Sequence, residues 1–179
     1  YDFHLFYALH EALKPDGNLG SLEDPNDLDT FRSLTFAVTH DIPNNEAMRG
    51  FILDANDPQR TDENLAYAYI LGRDGGVPLV YSDHGEADGM YTNLWKDAYN
   101  KPIMKKMVSF HNALFGKKMN ILSAGKCHLV INREGEGIMI INKCSEKQMI
   151  PVETSNTQGT FKNVLGDDTI VIDQETFTF

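Results

Sequence analysis

The sequence predicts an α/β segment followed by an all-β segment. Three observations carry this. Two apolar runs of strand character, residues 34–38 and 77–81, alternate with helical stretches, and a strand–helix–strand–helix order implies parallel pairing. Beyond Gly116 the helical periodicity gives way to short strand-like runs separated by turn formers. Of the 179 residues, 41% are apolar and 10% aromatic, enough to bury a core in one or two domains.

Asp2 can cap a helix that runs to about Leu13, with Leu5, Leu9 and Ala12 on one stripe. Lys14-Pro15-Asp16-Gly17 ends it, and a polar stretch over residues 18–30 follows. Residues 34–38 read as a buried strand and 46–53 as a short helix. The loop at 54–60 is rich in carboxylates, but it lacks the sixth-position glycine of an EF-hand and is read as solvated. Thr61 caps the next helix, with Asp62 and Glu63 in its first turn, where the helix dipole favours negative charge. Leu65, Ala68, Tyr69 and Gly72 share a face of that helix, and Gly75-Gly76 break it. After the strand at 77–81, a last helix at 103–115 buries Met104, Met107, Val108, His111, Leu114 and Phe115. Gly116 stops it, and its methionines read as core fillers.

The junction between the two regions falls at residues 119–124, dividing 1–118 from 119–179. Residues 138–141, 149–152, 161–164 and 169–172 read as short antiparallel strands. Around the turn at 133–137, pairing Ile131 with Ile140 and Val130 with Ile141 sets Cys127 opposite Cys144. Opposed cross-strand positions lie within disulfide reach, and such a bridge favours an oxidising compartment, secreted or periplasmic. The alternative is two reduced thiols, since a slip of one residue changes the pairing.

The net charge of −10 argues against a nucleic-acid partner, whose phosphates would repel it, and supplies no basic patch for anionic lipid. No apolar run approaches the roughly 20 residues of a membrane span, so neither nucleic acid nor membrane is expected as a partner. There is no Gly-x-Ser-x-Gly of a serine hydrolase and no Cys-x-x-Cys or His-Glu-x-x-His metal pattern. The glycine-rich run at 72–76 follows a helix instead of a strand, so it is not a dinucleotide loop.

The chemistry concentrates in Phe36-Ala37-Val38-Thr39-His40-Asp41, an apolar run that ends abruptly in His-Asp before Ile42-Pro43-Asn44-Asn45 turns the chain. A buried parallel strand delivers its last side chains to the crevice at its carboxyl end, and a carboxylate held there can face a developing positive charge. The plainer reading is a strand closed by a turn-forming Asp and a packed His ring. His84 with Asp83 and Glu86 could line the same mouth, or form a surface loop; Tyr91, Trp95 and Tyr99 could stack on sugar rings, or pack over the rim.

This run resembles the last motif block of the α-amylase family of glycoside hydrolases, Phe-Val-(acidic or polar)-Asn-His-Asp, with Phe36, His40 and Asp41 matching and Thr39 in the place of Asn. Tyr1-Asp2-Phe3-His4-Leu5-Phe6-Tyr7-Ala8-Leu9 is similar to the opening of the helix after the sixth barrel strand of that family. Gly75-Gly76-Val77-Pro78-Leu79-Val80-Tyr81-Ser82-Asp83 resembles its eighth strand, and Met107-Val108-Ser109-Phe110-His111 its closing barrel helix.

The resemblance implies a fold: the C-terminal part of a (β/α)8 TIM barrel at 1–118, then an antiparallel Greek-key β-sandwich at 119–179. It implies retaining hydrolysis of α-glucans, such as starch, glycogen and maltooligosaccharides. In it Asp41 is the third carboxylate, the transition-state stabiliser, and His40 binds the same sugar. The family's nucleophilic Asp and acid/base Glu sit on strands that would precede Tyr1, so the chain is expected to need an N-terminal barrel part and to be inactive alone. No cofactor is visible in the chain; calcium would belong to the missing part. Thr39 and Leu79 do not offer the chloride-binding pair of the chloride-activated branch. Related α-1,6-glucosidases and glucan transferases share the last block, and some relatives keep the barrel only as an interaction scaffold. A carbohydrate-binding β-module is a further alternative.

Overall fold

Residues 1–25, 27–29, 31–41, 63–82, 95–151, 157–172 and 176–178 are described by the computed structural model of the chain. Helix α1 (Phe3–Leu13) starts at Asp2, whose Oδ1 accepts from the Leu5 amide at 2.9 Å. The same buried carboxylate accepts from the Leu28 amide at 3.2 Å through Oδ2, and the Asp2 amide donates to the Leu34 carbonyl at 2.9 Å. One residue, through its carboxylate and its amide, thus fixes the start of the helix, the returning loop and the entry of the first strand. The stretch after α1 is not uniformly polar in structure: Leu19–Glu23 forms a 3-10 turn that buries Leu19 and Leu22.

Strands β1 (Leu34–Phe36) and β2 (Val77–Leu79) pair in parallel, Leu34 with Val77, Thr35 with Pro78 and Phe36 with Leu79. Between them runs α2 (Glu63–Gly72), and α3 (Pro102–Ala113) follows. The single-face reading of α2 gives way to a wider one. Ala66, Tyr67, Tyr69, Ile70, Leu71 and Gly72 are buried while Leu65 and Ala68 are only half-buried, because α2 touches β1, α1, α3 and a strand of the β-region at once. On α3, Met104, Met107 and Leu114 are buried as expected, but Phe115 is 83% exposed. The helix stops at Ala113 and Gly116 takes φ +81°, so Phe115 falls outside the helical stripe.

Residues 119–124, read from the sequence as a junction, form strand β3 (Met119–Ala124), which leads the antiparallel sheet β3–β4–β5 with β4 (His128–Arg133) and β5 (Gly137–Asn142). Alternation splits this sheet's contacts. Leu129, Ile131, Met139 and Ile141 join one continuous core with α1, α2, α3 and β1, while Val130 packs on the other face with Ile172 and the half-buried Ile138, Ile140, Phe161 and Ile170. The second face is covered by the hairpin β7 (Gly159–Lys162) with β8 (Thr169–Ile172). Strands β6 (Met149–Pro151) and β9 (Thr176–Thr178) pair antiparallel.

The β4–β5 register is shifted by one residue from the sequence expectation: Val130 pairs with Ile140 and Ile131 with Met139. The cause is the turn. Glu134 and Gly135 both take positive φ, the Glu136 amide donates back to the Arg133 carbonyl at 3.0 Å, and the ladder resumes with Arg133 opposite Gly137. Cys127 then exchanges a backbone bond with Lys143, not Cys144; Cys144 lies just past the end of β5, and the two cysteines form a disulfide with Cα atoms 5.4 Å apart.

Candidate active site

The site is built from the carboxyl ends of β1 and β2. Phe36 anchors the first. Its ring stacks on Phe6 at 5.2 Å and meets Phe3 and Tyr1 edge-on at 5.2 and 5.7 Å. Ala37, Val38 and Thr39 continue buried, and the chain then emerges: the side chains of His40 and Asp41 are 72% and 64% exposed. His40 Nε2 lies 3.3 Å from Asp41 Oδ1. The pair therefore stands at the open carboxyl end of a parallel strand, with a rigid buried run behind it.

The end of β2 is held differently. The Tyr81 amide donates to the Tyr67 hydroxyl at 3.2 Å, and the Val38 backbone lies close enough to the same hydroxyl to influence it. Trp95, 1% exposed, donates from Nε1 to Glu63 Oε2 at 2.9 Å and meets the Tyr81 ring edge-on at 6.2 Å. Burial pushes the Glu63 carboxyl up to about 7, opposed by the Trp95 hydrogen bond and the Lys101 charge. Burial, then the Glu63 charge, raises the Tyr67 hydroxyl further above its ordinary range, so it stays protonated.

Trp95 is thus a packing residue here, whereas Tyr99 is 54% exposed. Thr39 is buried with no hydrogen-bond partner at Oγ1 among the described residues. Asp83, His84, Glu86 and Tyr91, with Thr61 and the segments read as a helix at 46–53 and a loop at 54–60, lie outside the described residues. Among the described residues no group of three or more His, Cys, Asp or Glu side chains could hold a metal ion, and no helix is long and apolar enough to cross a membrane. Sequence reasoning took Glu63 only as a first-turn charge and did not single out Tyr67. The signal was present, since Glu63 and Tyr67 stand one turn apart on a helix otherwise rich in apolar residues.

The chain is 41% identical to an α-amylase of Aeromonas hydrophila over 179 aligned positions, covering 96% of this chain and 38% of that protein. Over the residues it spans, the chain is similar to members of the α-amylase family. No family model matches it. Its fold is similar to that of wild-type α-amylase I from Eisenia fetida, with a TM-score of 0.71 at 18% identity over 99% of this chain and 46% of that one. The E249Q mutant of the same Eisenia fetida enzyme, solved as a maltohexaose complex, gives 0.68 at 19% identity with the same coverage. The chain therefore spans less than half the length of each of these amylases, 38% and 46%. Its parallel pair followed by antiparallel sheets is consistent with the C-terminal part of an amylase.

Proposed function

We propose that this chain is the C-terminal part of an α-amylase-type retaining glycoside hydrolase acting on α-glucans. The observation that carries the reading is Asp41, exposed at the carboxyl end of a parallel strand in a chain 41% identical to an α-amylase. In this reading Asp41 holds the hydroxyls of the sugar whose bond breaks and helps distort its ring. Such contacts strengthen as the oxocarbenium-like state develops. His40 donates a hydrogen bond to the same sugar, and charge-assisted bonds of this kind are the stronger class. The nucleophile and the proton donor come from residues outside this chain. The Cys127–Cys144 bridge supports a secreted or periplasmic setting.

The test is Asp41→Asn in the enzyme that contains this chain. A contact made only in the transition state lowers kcat and kcat/KM together, so both fall by several orders of magnitude, on the order of 10³ or more. An unchanged kcat overturns the assignment. The 179 residues alone, purified and given soluble starch, release no reducing sugar.

A further inference from the structure

Val38 and Tyr81 would be the next pair on the same face if the β1–β2 ladder continued, because its last pair is Phe36 with Leu79. The ladder stops before it reaches them. The Tyr67 hydroxyl stands in that gap, accepting from the Tyr81 amide at 3.2 Å and close enough to the Val38 backbone to be influenced by it. A closed circuit supports it. Tyr81 meets the Trp95 ring, Trp95 Nε1 donates to Glu63, and Glu63 lies one helical turn before Tyr67. Ser82 Oγ adds a contact to the Trp95 carbonyl at 3.4 Å. A phenol oxygen this deep is costly unless it is hydrogen-bonded, and packing alone could be met by Phe.

We propose that Tyr67 is a positioning residue for the sugar-binding pair: its hydroxyl substitutes for the missing ladder bonds and fixes the strand end that carries His40 and Asp41, with Glu63 and Trp95 holding the far side. This rests on the function proposed above. Misplacement of a reacting group by about 1 Å can cost on the order of 10²-fold in rate. The backbone at Val38, two residues upstream of His40, is close enough to set that placement.

Tyr69 supplies the control. It lies on the same helix, is equally buried, and its hydroxyl donates to the Leu22 carbonyl at 3.0 Å, away from the strand ends. In the enzyme containing this chain, Tyr67→Phe lowers kcat about 10-fold or more with KM within about 3-fold, and Tyr69→Phe leaves kcat within about 2-fold. In the same enzyme, Tyr67→Phe speeds hydrogen exchange of the Val38 and Tyr81 amides about 10-fold relative to the amides of α3. Equal loss of kcat in the two variants, an unchanged kcat in Tyr67→Phe, or unchanged exchange at those amides overturns the proposal. If Tyr67→Phe does not fold, Glu63→Leu, which removes the Trp95 anchor, carries the same kinetic and exchange criteria. The proposed function itself fails only if Asp41→Asn is fully active, an outcome separate from all of these.

Discussion

Arg133 Nη1 donates to the Gly72 carbonyl at 2.8 Å, so a strand cation closes the end of a helix from the other half of the chain. The same nitrogen reaches the Arg73 carbonyl at 2.9 Å, Nη2 the Leu114 carbonyl at 2.8 Å, and Nε the Lys117 carbonyl at 2.9 Å. The Gly72, Arg73 and Leu114 carbonyls lie at the C-terminal ends of α2 and α3, where the negative end of the helix dipole sits, and the Lys117 carbonyl lies in the turn beyond α3. Arg133 is 1% exposed, and its charge is met by these dipoles. Arg133→Ala should cost about 3 kcal/mol or more, because it orphans several buried acceptors at once. Arg133→Lys should recover only part of this, since an ammonium cannot span the acceptors that a planar fork serves. Urea midpoints check both; a Lys variant as stable as the parent contradicts the account.

Lys143 performs the equivalent task for α1. Its Nζ donates to the carbonyls of Ala12, Lys14 and Gly17 at 3.0, 2.6 and 2.6 Å. The disulfide brackets it: the Lys143 amide donates to the Cys127 carbonyl at 2.9 Å, and Cys144 is the next residue. Cross-linking a loop of this length, with a sequence separation of 17, is worth about 3 kcal/mol by loop-closure entropy. Reduction should therefore lower stability by about that amount and speed amide exchange at the end of α1 before that of α3. Equal unfolding midpoints with and without reductant would argue against a structural role.

The fold was legible where a local signal repeats. Asp2 before an apolar stripe specified α1, and two apolar runs separated by a helix specified the parallel pair. The β4–β5 register was not legible, because a positive φ at Glu134 is a choice of the turn that its side chain does not announce. Arg133 read as a turn residue since its acceptors come from α2, α3 and the Lys117 backbone, which only tertiary packing brings together. The His40–Asp41 pair was visible as a motif at a strand end; the Tyr67 bridge behind it was not, because it depends on where two strands stop pairing.

Gly72 marks the closest approach of α2 to the β-region. A Cβ there would lie 2.6 Å from Met139 Cε, 2.8 Å from its Cγ and 3.1 Å from its Cβ. The terminal methyl can swing away, but the Cβ moves only with strand β5. Gly72→Ala gains helix propensity of about 1 kcal/mol, which this overlap should outweigh, and overpacking typically costs 1–3 kcal/mol. A net loss on the order of 1 kcal/mol is expected. Combining it with Met139→Ala removes the Cγ and Cε overlaps but keeps the Cβ at 3.1 Å, so only part of the penalty should be recovered, and thermal unfolding of the double mutant set measures that coupling.

Glu63 gives the chain a pH dependence of defined sign. Its folded-state pKa of about 7, raised by burial, exceeds the ordinary value of 4.5. The folded state therefore binds the proton more tightly than the unfolded state. This contribution to stability is fully present below about 4.5 and is lost as pH rises through about 7. The titratable groups facing the carboxyl are Lys101, which stabilises the anion, and the Tyr67 hydroxyl, which stays neutral. Allowing for its partial exposure, the loss should be on the order of 1 kcal/mol. Glu63→Gln keeps an acceptor for Trp95 Nε1 and cannot ionise. Its melting temperature minus that of the parent should therefore rise between pH 4.5 and 7, and a difference constant across that window would show that Glu63 does not titrate there.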